Sequence, residues 1–137
     1  LDEMAKGNFQ EVLDDPTAIA KNTDTVVLCS GKFYYEMKEK AAELGVKNMA
    51  FVRLEQLYPL PTAQIEDILN KYKAKNILWA QEEPANMGAW MHMAMNLRHL
   101  PLIGICRPAS AASAEGSKKL HEIRLKQLFT DLFAYAK

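Results

Sequence analysis

Short apolar runs alternate with segments of helical periodicity from about residue 24 to the end of the chain. The apolar runs have strand length and cover residues 25–29, 49–54, 76–80 and 102–106. Because these runs are apolar almost throughout, they indicate strands that are buried on both faces, as in a parallel sheet.

Each predicted strand is followed by an amphipathic segment. Gly45 is suited to end the first helix, while Thr62 and Ser117 are predicted to cap the second and the last. The alternation, with right-handed crossovers, predicts a three-layer α/β/α sandwich with a mainly parallel sheet. Apolar stripes identify the four helices: Phe33, Met37 and Ala41; Ile65, Ile68, Leu69 and Tyr72; Trp90, Met93, Ala94 and Leu97; and Leu125, Leu128, Phe129, Leu132 and Phe133.

The predicted organisation is a lead-in segment, 1–23, followed by one α/β domain, 24–137. In the lead-in, Phe9, Val12 and Leu13 are compatible with either a short helix or an edge strand. The chain starts at Leu1 rather than at a methionine, which suggests a piece of a longer polypeptide, and no signal peptide is visible.

Composition excludes several classes of protein. The 17 basic residues balance the 17 acidic ones, so net charge does not favour nucleic acid or an anionic membrane as a partner. No apolar run approaches the roughly 20 residues that span a bilayer. Cys29 and Cys106 lie in apolar runs and are predicted to be reduced thiols, as in a cytosolic compartment.

Polar side chains follow the carboxyl ends of the predicted strands, where α/β sheets gather their ligands. Such a rim is suited to hold an anion or to form a polar interface. The alternative is that these residues are ordinary helix caps and solvated ion pairs. The candidate interface or anion-binding residues are Ser30, Lys32, Gln56, Glu82, Glu83, Asn86, Trp90, Arg107, Ser110, Ser117 and His121.

Catalytic motifs are not recognisable along the chain. The residues around Lys32 lack the first glycine and the spacer of a P-loop, and Phe33 follows where Ser or Thr is needed. Glu82 and Glu83 are adjacent, so they project differently and do not suit a general acid/base pair. The three histidines lack metal-ligand spacing. We therefore predict no catalytic, cofactor-binding or metal-ligating residue in this chain.

Several motifs occur in one order across nearly the whole chain, in residues 7–15, 28–35, 52–61, 81–90, 107–110 and 116–121. They include Val52-Arg53-Leu54-Glu55-Gln56-Leu57-Tyr58-Pro59 and Gln81-Glu82-Glu83-Pro84. In that arrangement the chain resembles the C-terminal domain of the thiamine-diphosphate-dependent first component of 2-oxoglutarate dehydrogenase. The resemblance implies a fold like that of the transketolase C-terminal domain.

The resemblance also implies a role. The parent enzyme oxidatively decarboxylates 2-oxoglutarate in the tricarboxylic acid cycle and works with a dihydrolipoyl succinyltransferase. Its thiamine diphosphate and Mg²⁺ are held by the preceding domains, whose Gly-Asp-Gly signature is absent here. The expected role of this chain is that of an organising domain in a homodimer, inactive alone, with regulation of the parent enzyme as a further expected role. The expected location is a bacterial cytoplasm, or a mitochondrial matrix in a eukaryote.

Some relatives bind acetyl-CoA through this domain. Gln56 matches their glutamine, but Ala63 and Gln64 stand where their arginines lie. A free-standing nucleotide- or CoA-binding regulatory module remains the alternative function, with a flavodoxin-like enzyme as a third hypothesis.

Overall fold

The computed structural model describes residues 10–109 and 118–137. Within them, strands and helices alternate as the apolar pattern predicts. The strands are β1 (Val12–Leu13), β2 (Thr25–Cys29), β3 (Met49–Leu54), β4 (Asn76–Pro84) and β5 (Leu102–Arg107), and the helices are α1 (Phe33–Leu44), α2 (Thr62–Tyr72), α3 (Trp90–Asn96) and α4 (Lys118–Phe133), with a short 3₁₀ turn at Ala20–Asn22.

The described strands form one sheet in the order β1-β3-β2-β4-β5. β2, β3, β4 and β5 are parallel, and β1 pairs antiparallel with β3 at one edge. β2 therefore lies between β3 and β4, and the chain reverses its direction of winding there. This reversal makes the carboxyl ends of β2 and β4 the topological switch point, where α/β sheets open a crevice.

Helices cover both faces of the sheet, which confirms the predicted α/β/α sandwich. On one face, α1 and α4 pack over a core that includes Val27, Phe51 and Leu78. On the other, α2 and α3 pack over a core that includes Leu28 and Trp79. The strands are buried from both sides, which is why they are apolar at nearly every position.

Two boundaries differ from the prediction. β4 continues from Ala80 to Pro84, because a register shift lets Pro84 pair with Arg107 and the Ala85 nitrogen donates to the Arg107 carbonyl at 2.8 Å. β5 likewise ends at Arg107 rather than at Cys106. The polar residues after Ala80 and Cys106 suggested earlier ends for the two strands. Backbone pairing nevertheless continues through residues whose side chains reach the rim.

The predicted cap at Thr62 is wrong: Thr62 is the first residue of α2, and its N-terminus has no side-chain cap hydrogen bond in this described part of the chain. The Thr62 hydroxyl instead donates to the carbonyl of Leu60. Phe9 and the predicted cap Ser117 lie outside the described residues. None of the described helices is long and apolar enough to cross a membrane.

Within the lead-in, Val12 and Leu13 form the edge strand β1 and not a helix. After it, Asp15 is almost fully buried and accepts hydrogen bonds from the Phe51 nitrogen at 2.9 Å and from Lys38 Nζ at 2.9 Å. Asp14 accepts the Tyr72 hydroxyl at 2.7 Å. Two adjacent carboxylates thus bind the lead-in to α1 on one face of the sheet and to α2 on the other.

Candidate functional site

A pocket of about 210 Å³ opens at the switch point, between the carboxyl ends of β2 and β4. Ser30 and Lys32 line it on the β2 side, and Glu82 and Glu83 line it on the β4 side. The structure therefore brings together four of the predicted rim residues. Lys32 and Glu83 are exposed, whereas Ser30 and Glu82 are partly buried.

Gln81 organises the β4 side of this pocket. Its carbonyl oxygen accepts the indole N–H of Trp79 and the backbone N–H of Trp90, each at 2.8 Å. Its amide nitrogen lies 2.7 Å from the Met87 carbonyl and 2.9 Å from the Pro84 carbonyl. One buried side chain thus fixes the end of β4, the connecting turn and the start of α3.

The turn between β4 and α3 depends on Gly88. This residue has φ 64°, and a Cβ there would lie 3.1 Å from Gln81 Oε1. Asn86 is exposed on the same turn. The turn is therefore held from inside by Gln81 and presents polar atoms outward.

Trp90 begins α3 and packs against the sheet through Gly104. A Cβ at Gly104 would lie 2.8 Å from the Trp90 ring, so the glycine leaves the space that the indole occupies. Trp90 consequently has a packing role here, in addition to its backbone bond to Gln81.

Negative charge dominates the pocket. Burial, a hydrogen bond with Glu36 and the charges of Glu36 and Glu83 all raise the pKa of Glu82, while Lys32 opposes them. Glu36, from α1, therefore belongs to the site although the sequence did not single it out. One ammonium group beside three carboxylates makes a poor anion site.

Arg107 lies apart from this pocket. It is buried at the end of β5 and lines a separate cavity of about 470 Å³ between β5 and α4, together with Cys106, Arg124 and Asp131. His121 is exposed on α4. Ser110 and Ser117 lie outside the described residues. Lys32 and Arg107 therefore do not share one pocket.

Gln56 lies in the connection from β3 to α2, where its side-chain nitrogen donates to the Pro59 carbonyl at 2.8 Å. The same connection contacts α3 through two residues. His92 Nε2 lies 2.6 Å from the Leu57 carbonyl oxygen, and the ring centroids of Tyr58 and His92 are 4.1 Å apart. Tyr58 is 71% exposed. Met91 and Met95 are exposed along α3, whereas Met93 is fully buried in the core.

The described residues offer few metal ligands and thiols in one place. They contain no group of three or more His, Cys, Asp or Glu side chains that could hold a metal ion. Both cysteines are free, and burial raises the pKa of the Cys29 thiol to about 12, so it stays protonated.

The candidate site residues chosen from the sequence did not include Gln81 or Glu36. Gln81 follows an apolar strand directly, and a buried amide at such a position signals a structural hydrogen-bond network. Glu36 gave no such signal, because its contact with Glu82 depends on how α1 crosses the sheet.

Comparison with known proteins identifies the family of this chain. The family model described as "2-oxoglutarate dehydrogenase C-terminal" matches residues 1–133. The chain is 36% identical to the 2-oxoglutarate dehydrogenase E1 component of Azotobacter vinelandii over 97% of its own length, and 37% identical to that of Haemophilus influenzae over 98%. It is also 36% identical, over 98% of its length, to a probable 2-oxoadipate dehydrogenase complex component E1 homolog of Dictyostelium discoideum.

The chain spans about 15% of the length of the two bacterial relatives and 16% of the Dictyostelium protein. A match over 133 of its residues and these identities together establish its family. This chain belongs to the 2-oxoglutarate dehydrogenase C-terminal family.

Proposed function

We propose that this chain is the C-terminal organising domain of a 2-oxoglutarate dehydrogenase first component. In this role it supports assembly of the homodimer and packs against the preceding domains of the same polypeptide. The observation that carries the proposal is the match of almost the whole chain to a family defined as the C-terminal part of that enzyme. The parent enzyme oxidatively decarboxylates 2-oxoglutarate and passes the succinyl group to a lipoyl group of the dihydrolipoyl succinyltransferase.

In this proposal the cofactors belong to other domains. The switch-point pocket does not fit a thiamine diphosphate, because Glu36, Glu82 and Glu83 would repel the two phosphates. Thiamine diphosphate and Mg²⁺ would supply the decarboxylation chemistry in the parent enzyme. The residues of this chain would shape the surface against which the catalytic domains pack.

The polar rim is the surface that we assign to contact with other domains. Lys32, Glu83 and Asn86 are exposed on the segments that follow β2 or that end or follow β4, so they are accessible to other polypeptide. Tyr58, Met91 and Met95 add exposed apolar area beside the rim. A polar rim next to aromatic and methionine side chains is typical of protein interfaces.

Activity assays test the division of labour. The 137-residue chain is incubated with thiamine diphosphate, Mg²⁺ and 2-oxoglutarate, and we expect no CO₂ release above the buffer rate. The full-length enzyme under the same conditions should turn over. Decarboxylation by the chain alone would refute the proposal. The Dictyostelium relative makes 2-oxoadipate the matched second substrate for the full-length enzyme.

Charge reversal tests the interface role. In the full-length enzyme, Glu83→Lys should weaken the dimer in sedimentation experiments and lower kcat. Asp67→Lys is the matched control, since Asp67 is exposed on α2, away from the rim. Equal behaviour of the two variants would remove Glu83 from the interface.

Calorimetry tests the alternative function. Saturable micromolar binding of AMP or acetyl-CoA to the 137-residue chain would favour a nucleotide- or CoA-binding module. The separation of Lys32 and Arg107 into different pockets argues against such binding at the rim.

A further inference from the structure

An apolar trench runs between α1 and α4, on the face of the sheet that carries these two helices. One part, of about 450 Å³, is lined by Leu44, Leu125, Phe129 and Phe133. A second part, of about 190 Å³, shares Leu125 and Phe129 with the first. The two parts are therefore adjacent, and Leu125 and Phe129 give both of them an apolar floor.

The apolar side chains of the trench are incompletely covered. Leu44 is 53% exposed, and Leu125, Phe129 and Phe133 are partly buried against the core. The Phe33 and Phe129 rings are stacked with centroids 6.0 Å apart, which fixes the floor. A rigid, exposed apolar floor between two helices has the shape of a groove that receives a helix.

The walls of the trench carry an excess of negative charge. Glu36, Glu39 and Glu43 recur along α1 at helical spacing, so they form a row along one wall. Across the whole trench, four glutamates face two lysines: Glu36, Glu39, Glu43 and Glu122, against Lys40 and Lys126. Lys40 already contacts Glu43 at 3.4 Å.

The row continues into the negative region at the rim. Glu36 contacts Glu82, and the raised pKa of Glu82 has this contact and the neighbouring charge of Glu83 among its causes, after burial. The α1 wall is therefore acidic along its length. A partner that supplied positive charge along this wall would relieve the repulsion.

We infer that the trench docks an amphipathic helix whose apolar stripe lies on Leu125 and Phe129 and whose basic flank lies along the glutamate row of α1. This inference goes beyond the proposed function and does not depend on it. An anionic membrane surface is a poor occupant because the glutamates repel it. A second copy that presented the same trench would bring two rows of glutamates together.

Two synthetic peptides of about five helical turns test the inference. Both carry leucine at i, i+3, i+4 and i+7; one has lysines along its flank and the other has glutamates. Each is titrated into the ¹⁵N-labelled 137-residue chain. We expect saturable shifts centred on Leu44, Leu125 and Phe129 with the lysine peptide, and binding about tenfold weaker with the glutamate peptide.

Charge-reversed variants make the test specific to the trench. Glu39→Lys combined with Glu43→Lys should reverse the preference between the peptides, while Asp67→Lys on α2 should leave it unchanged. The amide spectrum of each variant reports whether it is folded. Absence of saturable binding, equal affinity for both peptides, or shifts centred elsewhere would overturn the inference. So would concentration-dependent dimerisation through the trench, since the occupant would then be a second copy.

Discussion

The side-chain oxygen of Gln81 accepts the backbone N–H of Trp90 at 2.8 Å, which joins the end of β4 to the first residue of α3. This N–H is among the helix N-terminal donors that lack a partner within the helix. No side chain at Ala89, the residue before α3, caps the helix within this described segment. Gln81 therefore supplies the cap from a buried strand residue and sets where α3 begins relative to the sheet.

We predict that Gln81→Ala destabilises the chain by about 3 kcal/mol, because it leaves the Trp79 indole and the Trp90 amide without their acceptor in a buried region. Urea unfolding measures the change. It is followed by far-UV circular dichroism rather than by tryptophan fluorescence, because Trp79 and Trp90 both lie at the substituted site. A loss smaller than about 0.5 kcal/mol would contradict the central role of this side chain.

Gln81→Glu separates the accepting from the donating half of the network. A carboxylate still accepts from Trp79 and Trp90, but it places a buried charge against the carbonyls of Pro84 and Met87. Its folded-state pKa should be raised, so the variant should be destabilised near neutral pH and should recover relative to wild type as the pH falls. A pH-independent difference would show that charge is not the cause.

Gly88 and Gly31 form a matched pair. Both have positive φ, 64° and 68°, but a Cβ at Gly31 would meet no atom within 4 Å, whereas one at Gly88 would meet the Gln81 amide at 3.1 Å. Gly31→Ala should therefore cost about 1 kcal/mol of backbone strain. Gly88→Ala should cost about 1–2 kcal/mol more, because it also displaces Gln81. If thermal or urea unfolding showed the same loss of stability for Gly31→Ala and Gly88→Ala, Gln81 would move away from the new Cβ without cost.

The apolar pattern predicted the sandwich and the helix faces because burial on both sides leaves a continuous signal in each strand. It did not predict that β4 extends to Pro84, since that extension depends on backbone pairing with Arg107 across a register shift. Such pairing has no counterpart in the polarity of the residues themselves. Polarity therefore located the carboxyl end of β4 too early.

The rim residues were predicted as a group, yet the structure divides them. Ser30, Lys32, Glu82 and Glu83 share a pocket, while Arg107 lines another. Residues at the ends of neighbouring strands converge in any parallel sheet, but helix placement decides which ones meet. Glu36 illustrates this point: it reaches Glu82 from α1, and one sequence contains no information about that crossing.

Gly104→Ala should destabilise the chain by about 1–3 kcal/mol, because the new Cβ would lie 2.8 Å from the Trp90 ring and must displace it. Adding Trp90→Leu should recover part of this loss, since the smaller side chain vacates the space. A double-mutant cycle in urea measures the coupling. If the losses in unfolding free energy from the two substitutions were additive, the Trp90 indole would move aside for the new Cβ without a free-energy cost.

Asp15 makes stability depend on pH at the acidic end. Burial would raise the pKa of its carboxyl, but hydrogen bonds from Phe51, Lys38 and Thr17 outweigh burial and lower it. Its contribution is therefore present above the unfolded pKa of about 3.9 and is lost as pH falls through the folded value. Asp15→Asn should cost about 2 kcal/mol near neutral pH.

The difference in unfolding free energy between wild type and Asp15→Asn should become smaller below about pH 4, because the wild-type carboxyl takes up a proton. Urea midpoints across an acidic pH series measure this narrowing. Asp67→Asn, at an exposed position on α2, serves as the control. If the difference in stability between wild type and Asp15→Asn stayed constant down to low pH, Asp15 would act through the shape of its side chain and not through its charge.

Glu82 should have the opposite pH dependence. Its pKa is raised by burial and by Glu36 and Glu83, so ionisation costs more in the folded chain than in the unfolded one. The contribution of Glu82 to stability should therefore become less favourable as pH rises through its unfolded and folded pKa values, and Glu82→Gln should be more stable than wild type by about 0.5–1 kcal/mol near neutral pH. The gain should vanish below about pH 4, where the carboxyl is protonated in both states. Glu39→Gln, at an exposed position on α1, should change stability much less. If Glu82→Gln were less stable than wild type near neutral pH, the carboxylate would have a favourable partner that outweighs Glu36 and Glu83.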